Sequence, residues 1–288
     1  MANVKLISEL RERTGAGMMD CKKALDACND DIEKACDWLR ENGIAKAAKK
    51  SGRIAAEGLA AVAINGNLAA MVEVNCETDF VCANADFKAL LAKIADAVAK
   101  HNPANMDEAN AIVVEGQSVA DLVIAATAKI GEKISFRRFV TLSKNDDELF
   151  GSYLHMGGKK GSLLVLAGGD KEVANNMAMQ LVATVPTYIK KAEVPAEYVE
   201  KELQIRIEAA KANGRPLNEK AYAGMRNKIA DEVALESQEF ILEDKVSVGS
   251  YLARVHAEVK QMAYYIVGEG IEKRQEDFAA EVMSQINK

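Results

Sequence analysis

The chain is poor in the side chains that most chemistry needs. Its 288 residues include three histidines (His101, His155, His256), one tryptophan and only 5% aromatic residues. The five cysteines, Cys21, Cys28, Cys36, Cys76 and Cys82, are odd in number, form no CxxC pair and lie far in sequence from the histidines. That pattern supports neither a disulfide framework nor a zinc site. Cys21 and Cys28, seven residues apart on one helix face, read as small apolar packing residues, as do most of the others. No GxSxG, HExxH or GxGxxG is present, and GGKKGS at 157–162 has the wrong spacing for a phosphate loop and reads as a tight turn. A cytosolic thiol hydrolase would need Cys76 or Cys82 beside His155, and the sequence sets no base next to either. No run approaches the roughly 20 apolar residues that span a bilayer. The opening MANVKLISELRERTG mixes acids and bases without an apolar segment, so it reads as no signal peptide. These absences point away from an enzyme and toward a cytoplasmic protein that needs no metal or cofactor.

What is present is ordinary for a globular chain, with 49% hydrophobic and 28% charged residues, many of the former alanine. At this length two or more cores are expected. The net charge of −6 argues against a nucleic-acid binder. The imbalance is uneven: residues 1–53 carry 11 basic and 9 acidic side chains, and the remainder 26 and 34. Lys46, Lys49, Lys50 and Arg53 supply much of the basic excess and read as a short, solvated linker. An RNA-binding module would use that linker and show salt-dependent affinity, against which the acidic remainder argues.

Start and stop signals divide the first ~43 residues into three helices. Asn3 opens one with Val4, Ile7 and Leu10 inward. A second carries Met18, Cys21, Leu25 and Cys28. Asp30 or Asp31 caps a third with Ile32, Cys36 and Leu39 inward, ending at Gly43. From Glu57 the pattern becomes a hairpin, Ala61–Ile64 and Leu68–Val74 about an Asn65-Gly66 turn. Helices follow over Phe87–Val98 and from Ser118 through Ile130, then a strand over 134–142. The same order then recurs: strands at Tyr153-Leu154 and 163–167 about a turn, a helix from Glu172 to Val185, another opening at Ser247, and a strand over 262–267.

Between them, residues 188–237 interrupt the second unit. Pro195 suits a first helical turn. Ala196, Val199, Leu203, Ile207 and Ala210 make one stripe, Asn213-Gly214-Arg215-Pro216 breaks it, and Leu217, Ala221, Met225, Ile229 and Val233 return. This pattern predicts a protruding antiparallel coiled-coil hairpin. Gly268-Glu269-Gly270 reads as a flexible joint before a C-terminal helix, Ile271–Ile286. The fold class is therefore α+β: a three-helix module with basic linker (1–53), a β-β-α-α-β core unit (54–143), a related second unit (144–187 with 238–268), the inserted hairpin (188–237) and a C-terminal helical module (269–288).

Two places invite a functional reading. Thr78-Asp79-Phe80-Val81 follows the strand ending near Val74, and polar segments leaving rigid strands often carry function. Phe80 could instead be core, with Asp79 capping the next helix. Asn84 offers a better cap just beyond, which leaves Asp79 and Phe80 in the connection. In the N-terminal module, Met18 and Met19 point about 100° apart on a helix, so both cannot face one small core. Either one is exposed beside Arg11, Arg13, Lys22 and Lys23, or the module has a wide apolar base.

TGAGMMDCKKAL at residues 14–25 and NCETDFV at 75–81 resemble bacterial translation elongation factor Ts, and the resemblance runs nearly end to end. It implies a guanine-nucleotide exchange factor for the GTPase elongation factor Tu, in translation elongation. It also implies one partner contact through Arg11, Met18, Met19 and Lys22 and another through Thr78, Asp79, Phe80 and Val81. In that family the phenyl ring enters the partner near its nucleotide site and disturbs the magnesium and phosphate-binding loop. His155 matches a further contact position, although the family form His-Gly is here His155-Met156-Gly157-Gly158. Oligomeric state stays open, with a homodimer and a 2:2 complex both compatible with exposed sheet edges.

Overall fold

The computed structural model describes residues 4–214 and 218–272. The helix expected from Ile271 to Ile286 falls almost wholly beyond them, as do Asn3 and Arg215 to Leu217. Helices and strands alternate in an α+β arrangement, and the chain divides into two compact units, Met1–Ala60 with Val72–Phe139 and Ile266–Lys288, and Ala61–Met71 with Val140–Tyr265.

The first unit opens with α1 (Val4–Thr14), α2 (Met18–Ala27) and α3 (Ile32–Lys50). Leu10, Cys21, Ala24, Leu25 and Ala35 form their buried cluster, with Ile32, Cys36 and Leu39 packed against it. Burial pushes the Cys21 and Cys36 thiols up from their ordinary pKa, which suits packing rather than reactivity. Val4, expected inward, is exposed. Asp31 caps α3, accepting from the Lys34 N–H at 3.1 Å. Contrary to expectation α3 does not stop at Gly43, and Lys46, Lys49 and Lys50 are helical, not a linker. The reason is packing. Gly43 is buried, and a Cβ there would lie in ordinary contact, 3.6 Å from the Ala128 Cβ of the helix beside it, so packing between the helices overrides the glycine's poor helix propensity.

β1 (Glu57–Asn65) and β2 (Leu68–Cys76) join through Gly66-Asn67, one residue later than the Asn-Gly signal, with Gly66 at φ +60°. Then come α4 (Asp79–Ala83), α5 (Ala85–His101), α6 (Met106–Ala111), the short pair β3 (Val113–Val114) and β4 (Gln117–Ser118), α7 (Val119–Ile130) and β5 (Ser135–Ser143). Of these α4, α6, β3 and β4 carry no clear signal in the sequence. Asn84 and Ser118 cap α5 and α7 through their side-chain oxygens. The sheet order is β1-β2-β5.

Glu73 on β2 is fully buried, yet ionised. Its carboxylate accepts from Arg137 Nη1 at 2.9 Å, Arg138 Nε at 2.6 Å, the Gly268 N–H at 2.9 Å and Asn75 Nδ2 at 3.1 Å. Arg138 also donates to the Ile266 carbonyl, and Arg137 to that of Glu269. The 268–269 joint is thus pinned rather than flexible, and Gly268 is required there: at φ +77°, a Cβ would sit 2.1 Å from the Ala56 carbonyl oxygen. Burial alone would raise the Glu73 pKa, but the Gly268 N–H and the two guanidinium groups outweigh it and hold the pKa below the ordinary carboxylate value. A depressed folded pKa means the stabilisation is complete above the unfolded value and is lost as pH falls below it. Glu73→Gln should cost about 2–3 kcal/mol at neutral pH, because two half-buried guanidinium groups lose the charge of a fully buried carboxylate. Urea midpoints measured from neutral to acid pH should fall for the wild type below the carboxylate range and stay flatter for the variant.

The second unit holds β6 (Glu148–His155), β7 (Lys160–Gly168), α8 (Lys171–Thr184), α9 (Ala196–Ala212), α10 (Glu219–Val233), α11 (Val248–Arg254) and β8 (Ala257–Ile266), with sheet order β6-β7-β8. β6 and β8 each begin five residues before their apolar signal, since ladder bonds recruit small and polar residues that periodicity overlooks. Leu163 to Leu166 is buried on both sides of the sheet: Leu164 and Leu166 pack with Met177, Leu181, Phe240 and Tyr251, and Leu163 and Val165 with Met71, Leu142 and Tyr265. Period-two alternation splits one apolar run between two clusters. α9 and α10 bury Leu203, Ile207 and Ile229 between them, with Arg226–Glu200 and Arg206–Glu232 ion pairs at 2.8 and 2.6 Å. Pro195 stands one residue earlier than expected, at the cap of α9 with extended backbone rather than inside its first turn.

Candidate functional site

Strand β2 ends at Cys76, and the chain turns at once into α4, a single short helix from Asp79 to Ala83. The segment is therefore helical where the sequence suggested an open connection. Its side chains divide cleanly. Val81 and Cys82 are buried, 7% exposed each, and the Cys82 thiol lies 3.4 Å from the Gly58 carbonyl oxygen and 3.5 Å from the Cys76 sulfur. Asp79 and Phe80 face outward, and the phenyl ring is 85% exposed. Phe80 is thus not core, and Val81 anchors the segment. One exposed aromatic is by itself unremarkable on a protein surface. Here the seat matters more than the exposure.

That seat includes residues with no signal in the sequence. Both Thr78 donors go to one carboxylate: its N–H to Glu132 Oε2 at 2.9 Å and its hydroxyl to Glu132 Oε1 at 2.7 Å. In return the Lys133 N–H donates to Glu77 Oε1 at 2.6 Å, and Arg53 Nη1 reaches the same oxygen at 3.2 Å. The pairs are 54 and 56 residues apart in sequence. In sequence Gly131-Glu132-Lys133 is only the short connection between the helix ending at Ile130 and the strand over 134–142.

In the N-terminal module both methionines are exposed, Met18 at 58% and Met19 at 62%, on the first turn of α2. Arg11 on α1 and Lys22 on α2 are exposed as well. Neither methionine belongs to the small core, and methionine is among the side chains enriched at protein interfaces. In the second unit, His155 ends β6, exposed, with its Nδ1 3.4 Å from the Tyr153 hydroxyl. Beside it, Met156 is 70% exposed at the tip of the β6–β7 hairpin.

Residues 77–269 match the family described as "Elongation factor TS", and residues 1–50 match "Elongation factor Ts, mitochondrial, N-terminal". The chain belongs to the elongation factor Ts family. It is 47% identical to the elongation factor Ts of Pediococcus pentosaceus over 286 residues, covering 99% of this chain and 98% of the relative. With that of Lacticaseibacillus casei it shares 48% over 283 residues, 97% of each chain. With that of Limosilactobacillus reuteri it shares 44% over 291 residues, the full length of both. Elongation factor Ts is a factor of translation elongation, and the matched regions take in the α1–α3 module and the strand-end segment. Among the described residues no helix is long and apolar enough to cross a membrane.

Proposed function

We propose that this chain is a guanine-nucleotide exchange factor, which binds the GDP-loaded GTPase elongation factor Tu in the cytoplasm and releases its GDP so that GTP can enter. It acts by protein–protein contact, with no covalent chemistry and no cofactor of its own. Arg11, Met18, Met19 and Lys22 dock one face of the partner. Asp79 and Phe80, carried on the Thr78 and Val81 anchors, act near its magnesium and phosphate site, and His155 makes a further, separate contact. Residues 188–237 form an inserted helical hairpin beside two related β-β-α-α-β cores, a reading supported by the matching strand orders and by the apolar seam of α9 and α10. The observation that carries the proposal is Phe80: a large apolar ring held outward at 85% exposure on the short helix that follows β2, in a chain of this family.

The physics is linkage. Nucleotide and magnesium hold the partner's loops through charge-assisted hydrogen bonds and metal coordination. A factor that binds the nucleotide-free form more tightly than the loaded form must weaken nucleotide binding by the same ratio. A ring wedged into a packed contact creates such a difference, because packed interfaces switch between discrete arrangements rather than deforming smoothly. The Asp79 carboxylate adds negative charge where the partner concentrates positive charge. GTP, arriving with its own magnesium, reverses the change and expels the factor.

The test is release of fluorescent GDP from purified elongation factor Tu at rising concentrations of this chain. A saturable acceleration is expected, and the immobilised chain should retain the partner until excess GDP is added. Release that proceeds at the unstimulated rate throughout removes the exchange reading.

A further inference from the structure

We infer that Glu132 is a positioning residue for Phe80: its carboxylate locks Thr78 and so fixes the direction in which the ring leaves the protein. The inference rests on the exchange reading above and adds to it a residue that need not touch the partner at all.

Three observations carry it. The first is that α4 has only five residues and lacks the cap that should secure it. Thr78 stands at its cap position with extended backbone, φ −125° and ψ 156°, yet its side chain makes no capping bond. A threonine there would ordinarily accept from an N–H of the first turn. Here the hydroxyl donates to Glu132 at 2.7 Å, and the Thr78 N–H donates to the other carboxylate oxygen at 2.9 Å. Two charge-assisted bonds to one planar group fix orientation as well as distance.

The second is that a helix of one turn is not stable alone. Its geometry comes from outside. From below it is held by buried Val81 and Cys82, and at its start by Glu132. Phe80 is flanked by these two supports but makes neither contact, so the aim of the ring depends on both.

The third is that Glu132 is itself held in register. Gly131 ends α7 in the left-handed conformation, and the next two residues run alongside 77–78 in a reciprocal exchange: Glu132 takes the Thr78 donors, and Glu77 takes the Lys133 N–H at 2.6 Å. Lys133 Nζ then donates to the Ser51 and Arg53 carbonyls at 2.6 and 2.9 Å. The same three-residue turn thus grips the strand-end segment and the stretch leaving α3.

The experiment compares Glu132→Ala, Glu132→Gln, Phe80→Ala and the Glu132→Ala/Phe80→Ala double variant in full-length chain. For each, stimulated GDP release is measured as a function of factor concentration. Glu132→Ala should lower the maximal stimulated rate about tenfold, the scale of a small misplacement of a functional group. Its half-saturating concentration should stay within about twofold, since the Met18 and Met19 surface is untouched. Glu132→Gln should recover most of the rate, because an amide can accept from the Thr78 N–H and donate to its hydroxyl oxygen. In the Phe80→Ala background Glu132→Ala should change nothing further, as expected for two residues acting through one contact. Should Glu132→Ala not fold, Thr78→Val, which loses only the hydroxyl bond, is judged by the same rate and half-saturation criteria. A Glu132→Ala variant with full maximal rate, or one that slows Phe80→Ala as much as it slows wild type, overturns the inference while leaving the ring's role intact. A Phe80→Ala variant as fast as wild type instead removes the ring, and the clamp with it.

Discussion

Phe80→Ala should lose most of the stimulated release of GDP from elongation factor Tu while folding as stably as the wild type. The two halves of this expectation have separate causes. The ring is 85% exposed, so its removal takes little from the chain's own core, and surface changes of this kind typically stay within about 0.5 kcal/mol. A buried aromatic anchor at an interface is worth about 2–4 kcal/mol, and each 1.4 kcal/mol is roughly tenfold. A fall of about 30- to 1,000-fold in the exchange efficiency follows if the ring becomes buried in the partner. Stopped-flow release with labelled GDP gives the first quantity and urea unfolding the second. A variant that is equally stable and equally active would mean the exposed ring has no part in exchange. Because Val81 is buried beneath, Val81→Ala is the informative control: it should destabilise the chain, whereas Phe80→Ala should not.

The second large effect concerns docking. Met18→Ala/Met19→Ala should weaken affinity for nucleotide-free elongation factor Tu by about 10- to 100-fold, from roughly 1 kcal/mol or more per truncated interface side chain. Because the pair sits at 58% and 62% exposure on the first turn of α2, outside the cluster around Leu10, Cys21 and Leu25, the melting temperature should hardly move. Deleting residues 1–53 is a poorer probe: α3 packs along α7 at Gly43 and Ala128, so deletion would also uncover apolar surface elsewhere in the unit. Calorimetric titration of the double variant against nucleotide-free partner measures the loss. Wild-type affinity would show that this surface faces solvent in the complex. The two variants should also differ in kind, with Phe80→Ala acting on maximal rate and the methionine pair on half-saturation.

Local chemistry was legible and non-local chemistry was not. The caps at Asp31, Asn84, Ser118 and Ser247 are visible in sequence because a cap is satisfied within three residues. Gly43 misled for the complementary reason: its helix-stopping tendency is local, while the Ala128 contact that overrides it is 85 residues away. The Gly268 joint misled in the same way. Two glycines about an acid suggest slack, but Glu73, Arg137 and Arg138 converge on that segment from strands far back in the chain. Helical spacing leaves Met18 and Met19 between one exposed side chain and a wide apolar base, and the structure exposes both. A three-helix cluster small enough to be filled by Leu10, Cys21, Ala24, Leu25 and Ala35 settles it.

Family membership, the order of the longer strands and helices, and Phe80 as a candidate were legible in sequence alone, because motif spacing and apolar period are properties of neighbouring residues; that the ring points outward was decided by the structure. That α4 is a helix, that Val81 is its anchor and that Glu132 holds the cap residue Thr78 before it were decided only by tertiary structure. A carboxylate 54 positions away leaves no trace in local pattern until the chain closes the loop between them.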